Sequence, residues 1–187
     1  MSHPAQYCLD AVKEVSQKVT ENFGNLTTQQ LNWQPAPNKW SIAQCLDHLC
    51  VSNNSYDTEF ERILNQQPFT NFWGKIPFLS GFWGNFLLKS VTPEVKTAMQ
   101  APPAFKPAQS NLPASILQDF EQSQQNFIGY LTRLQAVQNP DAIKMTSPAL
   151  SLITYSLNQC LTILAHHELR HFGQAMRVLQ HPNFPTA

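Results

Sequence analysis

The 187-residue chain reads as an all-α protein, a four-helix bundle with a long aromatic- and proline-rich connection between its second and third helices. Three observations predict this. Four segments repeat apolar residues at three- and four-residue steps, the period of a helix face. No segment shows the two-residue alternation of a half-buried strand. Hydrophobic residues make up 42% of the chain, ample for one core, and the length suits a single domain over 1–187.

The first helix is expected from about Ala5 to Phe23, because Cys8, Ala11, Val12, Val15, Val19 and Phe23 recur on one face, with Gly24 suited to its C-terminal cap. After the proline-marked stretch LNWQPAPNKW, Ser41 as N-cap and Gln44 three residues on form a capping box, with Trp40 placed to staple against Cys45. This second helix is expected to run to about Leu64, burying Ile42, Cys45, Leu46, Leu49, Tyr56, Phe60 and Ile63. Between Pro68 and Pro113 lies PFTNFWGKIPFLSGFWGNFLLK, in which FWG occurs twice ten residues apart. It predicts a packed connection with a short helix near Phe82–Lys89, or else a lid or dimerisation surface, since large aromatics are enriched in both. Ser110 or Asn111 can cap a third helix that reaches about Val137 and buries Ile116, Phe120, Phe127, Leu131 and Leu134. The stretch NPDAIKMTSPAL then interrupts the chain, and a fourth helix is expected from about Ser151 to Gln180.

Composition narrows the function. Lys plus Arg and Asp plus Glu both number 12, only 13% of residues are charged, and no basic block exists to neutralise phosphates, which argues against nucleic acid. No stretch reaches the roughly 18 apolar residues of a membrane span, and the start MSHPAQYCLD lacks the basic and apolar regions of a signal peptide. A cytoplasmic protein with no membrane partner is the expectation. Cys8, Cys45, Cys50 and Cys160 are far apart and form no C-x-x-C pair, so they read as reduced thiols, three of them on the apolar stripes.

The chemistry concentrates in the last helix. Ile153, Leu157, Cys160, Leu161, Leu164, Ala175 and Val178 share one face, and His167 and His171 fall inside it, one turn apart. Histidines in an apolar stripe are either satisfied core residues or ligands. A pair four residues apart can converge on one divalent ion, zinc and nickel suiting neutral imidazoles best, whereas a metal-free pair needs separate hydrogen-bond partners. His166 projects about 100° away and reads as a surface residue. A third ligand must come from another helix, and His48, at the edge of the second helix's stripe, is better placed than His3 or His181. Three histidines leave further positions open for water or a small-molecule substrate.

The same stretch, HELRH, matches the H-E-x-x-H pattern of zinc peptidases. The context does not. Gln174 and Arg177 stand where an extended metzincin motif needs Gly and His, and no Asp or Glu follows His171 to serve as a downstream ligand. Glu168 flanks the stripe and is the candidate acid–base residue. Its offset of about 100° from His167 fits a supporting or structural role better than a catalytic one, and an exposed charge paired with Arg170 or Arg177 is the third reading.

The stretches LNWQPAPNKWSIAQCLDHL and HHELRHFGQAMRVL resemble the second-helix signature and the last-helix H-x-x-x-H-x-x-Q signature of the DinB-like (DinB/YfiT-like) superfamily of metalloenzymes, and the likeness extends through FLLK and AFKP. The resemblance implies a three-histidine metal site, which maps onto His48, His167 and His171. Glu168 is a departure, since many relatives carry Asp or another residue there. It also implies a metal-dependent enzyme: relatives include transferases that use low-molecular-weight thiols, a thiol-dependent isomerase, and proteins described as metal-dependent hydrolases. The expectation for this chain is a thiol-dependent S-transferase acting on small electrophiles with a thiol cosubstrate. The alternatives are a metal-dependent hydrolase or a non-catalytic, metal-containing binding or stress-response protein. A homodimer is a further expectation, from the aromatic segment.

Overall fold

In chain order the computed structural model consists of α1 (Pro4–Phe23), α2 (Thr28–Asn32), α3 (Ile42–Asn54), α4 (Asp57–Leu64), a 3-10 turn (Phe72–Lys75), α5 (Leu79–Val91), α6 (Ile116–Leu134), strands β1 (Lys144–Thr146) and β2 (Thr154–Ser156), and α7 (Leu157–Leu179). It describes residues 3–91, 105–107 and 111–186. The chain is mostly helical. Helix α1 packs against α6 and α7, and α3 packs against the same two helices. The apolar stripes read from the sequence are the surfaces that meet: every stripe residue of α1, α3, α4 and α6 is buried, and on α7 only Ile153, which precedes the helix, is partly exposed.

Capping explains where the elements start. Ser41 and Gln44 form the expected box, each side chain satisfying the other's backbone N–H. The same device appears at Thr27 with Gln30, which nucleates α2, and at Ser156 with Gln159, which starts α7. The fourth long helix therefore begins at Leu157 and not near Ser151. The residues before it instead form a two-stranded antiparallel hairpin pairing Met145 with Tyr155, so the absence of strands does not hold. The hairpin is too short for periodicity to reveal, with three residues on each side.

The helix expected over 41–64 divides at Ser55–Tyr56. The Tyr56 N–H bonds back to Asn53 O at 3.0 Å, a tightened turn, and the Tyr56 hydroxyl reaches the Tyr155 hydroxyl at 2.8 Å in the interior. The third helix starts at Ile116 with Ser115 preceding it; Asn111 takes a left-handed φ of 81° and uses its backbone N–H on Asn32 Oδ1. Ser110 lies outside the described residues. The short helix near Phe82 is longer than expected, Leu79–Val91, and packs on α7 and β2. Gly84 permits this approach, because a Cβ there would fall 2.2 Å from the Gln159 side chain.

The interior is not uniformly apolar. One cluster gathers Val15, Phe23, Ile42, Leu46, Phe120 and Val178, and a second gathers Cys8, Val12, Phe60, Phe127, Leu131 and Leu161. At the point where each of three helices passes from one cluster to the other, its buried residues turn polar: Ser52 and Asn53 on α3, Ser123 and Gln124 on α6, Glu168 and His171 on α7.

Candidate metal centre

Three helical turns converge at this polar step. The buried His48 comes from α3, and His167 (partly exposed) and His171 (buried) come from successive turns of α7. One ligating atom from each lies within 4.8 Å of those of the other two. His48 Nε2 is 3.0 Å from His167 Nε2, and the ring centroids are 4.5–4.9 Å apart. Two nitrogens each about 2.0–2.1 Å from one ion would stand roughly 3 Å apart, so the spacing is that of co-ligands.

The remaining ring nitrogens indicate which lone pairs face inward. His48 Nδ1 bonds the Phe105 carbonyl and His171 Nδ1 bonds Gln174 Oε1 at 3.1 Å. Both acceptors are carbonyl oxygens, so each Nδ1 carries the proton and donates it, and each Nε2 is left as a bare lone pair. His167 Nδ1 is buried and has no hydrogen-bond partner in the protein. Without a further group, at most one of these inward lone pairs can be satisfied, by a proton on the facing Nε2. A cation satisfies all three, so the donor set fits a divalent metal.

Electrostatics agree. Burial lowers the pKa of His48, and burial together with the neighbouring histidines lowers that of His167. His171 is brought down to about 3, by burial first and then by His48 and Arg170. All three imidazoles are neutral at pH 7, the form a metal requires. Trp40 covers the cluster, stacked on His171 at 5.6 Å and tilted against His48 at 4.9 Å. The sequence places Trp40 only as a helix staple; its stacking on His171, 131 positions on, is a contact between elements that spacing within α3 does not reveal.

Glu168 is not the exposed partner of Arg170 or Arg177. It is fully buried, and its two oxygens accept from Asn53 Nδ2 at 2.6 Å and Gln124 Nε2 at 2.8 Å. Burial raises its pKa to about 7 against the lowering effect of the two amides. The carboxylate thus ties α7 to α3 and α6 one residue beyond His167. His166 is partly buried, edge-on to Tyr7 at 6.1 Å, and not the fully solvated residue its wheel position suggests. The four cysteines are free; burial pushes Cys45 and Cys50 up to about 12 and holds Cys8 and Cys160 well above the ordinary thiol range, so all are protonated thiols.

A family model for the DinB superfamily matches residues 11–175, which includes all three histidines. The chain belongs to the DinB superfamily. No curated protein and no solved structure matches it. As in the sequence resemblance, this DinB-superfamily chain carries the histidines on α3 and α7, and Gln174 of the H-x-x-x-H-x-x-Q pattern is the residue that accepts from His171. No helix among the described residues is long and apolar enough to cross a membrane.

Proposed function

We propose that this DinB-superfamily protein is a metal-dependent enzyme built on the family's four-helix bundle, with His48, His167 and His171 holding one divalent ion, and that it transfers a low-molecular-weight thiol to small electrophiles. The observation that carries the reading is the convergence of three neutral imidazoles whose outer nitrogens, on His48 and His171, are tied to carbonyl oxygens. Zinc or nickel suits such a set. When bound, the ion supplies a Lewis acid that lowers the pKa of a thiol or a water molecule.

The chain's own residues do the positioning. The Phe105 carbonyl and Gln174 hold two imidazoles in one tautomer and one orientation, which also raises their basicity as ligands. Trp40 closes one side and excludes water from the rings it covers. With three protein ligands, positions on the ion remain for a cosubstrate thiol.

Thiol transfer is favoured over hydrolysis by the state of Glu168. A hydrolase commonly uses a carboxylate or another base beside the ion to take a proton from water. Of the two acids adjacent in sequence to a histidine of the cluster, Asp47 and Glu168, the buried Glu168 spends both oxygens on Asn53 and Gln124. A thiol, far more acidic than water before it is bound, would release its proton to solvent on coordination without a dedicated base. The test is consumption of monochlorobimane with a low-molecular-weight thiol, with and without added metal. Metal-dependent conjugation supports the transferase. Metal-dependent ester or amide hydrolysis without thiol consumption would favour the hydrolase, and inactivity in both assays with metal bound would favour a non-catalytic binding protein.

A further inference from the structure

A cleft of about 600 Å³ opens at the end of the bundle where α7 finishes and α6 begins, between α2 with the stretch that follows it and residues 111–113. That volume is within the range of small-ligand sites. Its walls are fastened to each other. Asn32 Oδ1 accepts the backbone N–H groups of Asn111 and Leu112 at 3.0 and 2.8 Å, and Asn32 Nδ2 donates to the Thr28 and Leu112 carbonyls at 2.9 and 2.7 Å. One side-chain amide thus holds both walls at a fixed separation, with its own bonding capacity filled. None of the three histidines of the metal centre lines the cleft, and neither does Trp40.

The lining combines a fixed aromatic ring with unengaged neutral polar groups. Trp33 is held by His181, tilted at 5.3 Å, and by the edge of Phe184 at 5.6 Å, and the tail that carries those two rings is anchored by Gln30 Nε2 on the Pro185 carbonyl at 3.0 Å. The indole therefore loses little freedom when a ligand settles against it. Around it, the Thr28 hydroxyl and the Gln29 and Asn111 amides make no side-chain hydrogen bond among the described residues, and Gln34 donates its Nε2 to Gln44 at 2.8 Å with Oε1 left over. Asn111 stands in the left-handed region at a φ of 81°, the kind of sparsely populated conformation that collects at ligand sites. No Lys, Arg, Asp, Glu or His side chain lines the cleft.

We propose that this cleft binds a neutral sugar, a pyranose ring lying with its C–H face on Trp33 and its hydroxyls meeting Thr28, Gln29, Gln34 and Asn111. The chemistry of the lining selects this class. A phosphate, carboxylate or ammonium ligand brings a charge that nothing in the lining pairs, whereas charged ligands are recognised through ion pairs. A purely apolar ligand would cover amides and a hydroxyl without bonding them, at a cost for each. A sugar hydroxyl both donates and accepts, as do amide and hydroxyl side chains, so the pairings between them can all be satisfied. The C–H groups on one face of the ring supply apolar contact area to match the indole, and Leu112 and Pro113 add to the apolar part of the lining. This site is independent of the metal centre and of the reaction proposed there.

The test is saturation-transfer NMR and calorimetric titration of the full chain with glucose, galactose and maltose, with glucose 6-phosphate and adenosine alongside. At least one neutral sugar is expected to bind with a dissociation constant in the millimolar range, and glucose 6-phosphate more weakly than glucose. Trp33→Ala should weaken sugar binding by at least about tenfold, through loss of the stacked ring. Gln29→Ala, at an exposed position, should keep the helicity of wild type and weaken binding about two- to tenfold, the range of one hydrogen bond. Chelation of metal should leave the affinity unchanged, because no histidine of the centre lines the cleft. Failure of every sugar to bind up to about 50 mM overturns the proposal, as does binding that Trp33→Ala and Gln29→Ala leave intact or that requires metal. Adenosine bound in preference to every sugar assigns the cleft to a nucleoside instead, and glucose 6-phosphate bound more tightly than glucose contradicts a lining without cations.

Discussion

The histidine centre and the outward face of α5 invert the usual distribution of side chains in opposite directions. At the centre, polar groups are buried: His48, Asn53, Gln124, Glu168 and His171 lie in the interior between two apolar clusters. On α5, phenylalanines face water where polar residues would be expected. The two inversions differ in how completely they are resolved. Apart from the inward Nε2 lone pairs of the histidines, most polar atoms of the centre find partners within the chain; His167 Nδ1, Asn53 Oδ1 and Gln124 Oε1 are buried without one. Among the described residues, Phe82 and Phe86 meet each other and Trp83 and stay largely exposed. Buried polarity is stabilised by hydrogen bonds inside one chain, whereas the exposed rings of α5 keep their apolar area in water.

That contrast makes the centre a source of large, pH-dependent energies and the α5 face a source of small ones. The largest expected effect is acid destabilisation of the metal-free protein. His171 has its ordinary value of 6.5 in the unfolded chain and about 3 in the folded one. Between those values the unfolded chain takes up a proton that the folded chain refuses. Stability is therefore full above pH 6.5 and falls as the pH falls to about 3, by on the order of 5 kcal/mol from this residue. His48 and His167, also lowered, act in the same direction. Glu168, raised from 4.5 to about 7, acts in the opposite direction, with stability falling as the pH rises from 4.5 to 7. The histidines outnumber it, so urea unfolding of metal-free protein should show a midpoint that falls on acidification from pH 6.5 to 4.5. A midpoint that rises over this range would mean that the carboxylate dominates.

Next in size, His171→Ala should lower metal affinity at least roughly a hundredfold, beyond the ten- to hundredfold loss typical of residues that only support a ligand. His166→Ala, outside the cluster, should change it less than about threefold. Elemental analysis and calorimetric titration read both. Equal retention by the two variants would reject the three-histidine assignment. Smaller again, Glu168→Gln should cost about tenfold in metal affinity by loosening the tie between α3, α6 and α7, with turnover per bound ion little changed. A loss of a hundredfold or more in rate with metal content intact would instead make Glu168 a proton carrier. The smallest effect is expected outside: Phe82→Ala should alter unfolding stability by no more than about 0.5 kcal/mol, as for surface positions generally. A large loss there would show that the exposed rings support the fold.

Much of this was legible in the sequence because it depends on spacing within one element. Apolar residues at helical steps mark α1, α3, α6 and α7, and Ser41 with Gln44 marks the start of α3. The four-residue step puts His167 and His171 on one face, and the edge of the second stripe points to His48. Thr27 with Gln30 and Ser156 with Gln159 are the same signal as Ser41 with Gln44, and would have located α2 and the true start of α7. What only the tertiary structure decided are pairings between distant residues. The Phe105 carbonyl, 57 positions after His48, orients its ring. Tyr155 draws Tyr56 inward across 99 positions where the long second helix breaks. Asn53 and Gln124, 115 and 44 positions before Glu168, turn a presumed helix-flank charge into a buried tie. A helix period states which side chains share a face, but a hydrogen bond across the bundle depends on how three helices are placed to within a few tenths of an ångström, and that placement is set by the packing of all the stripes at once.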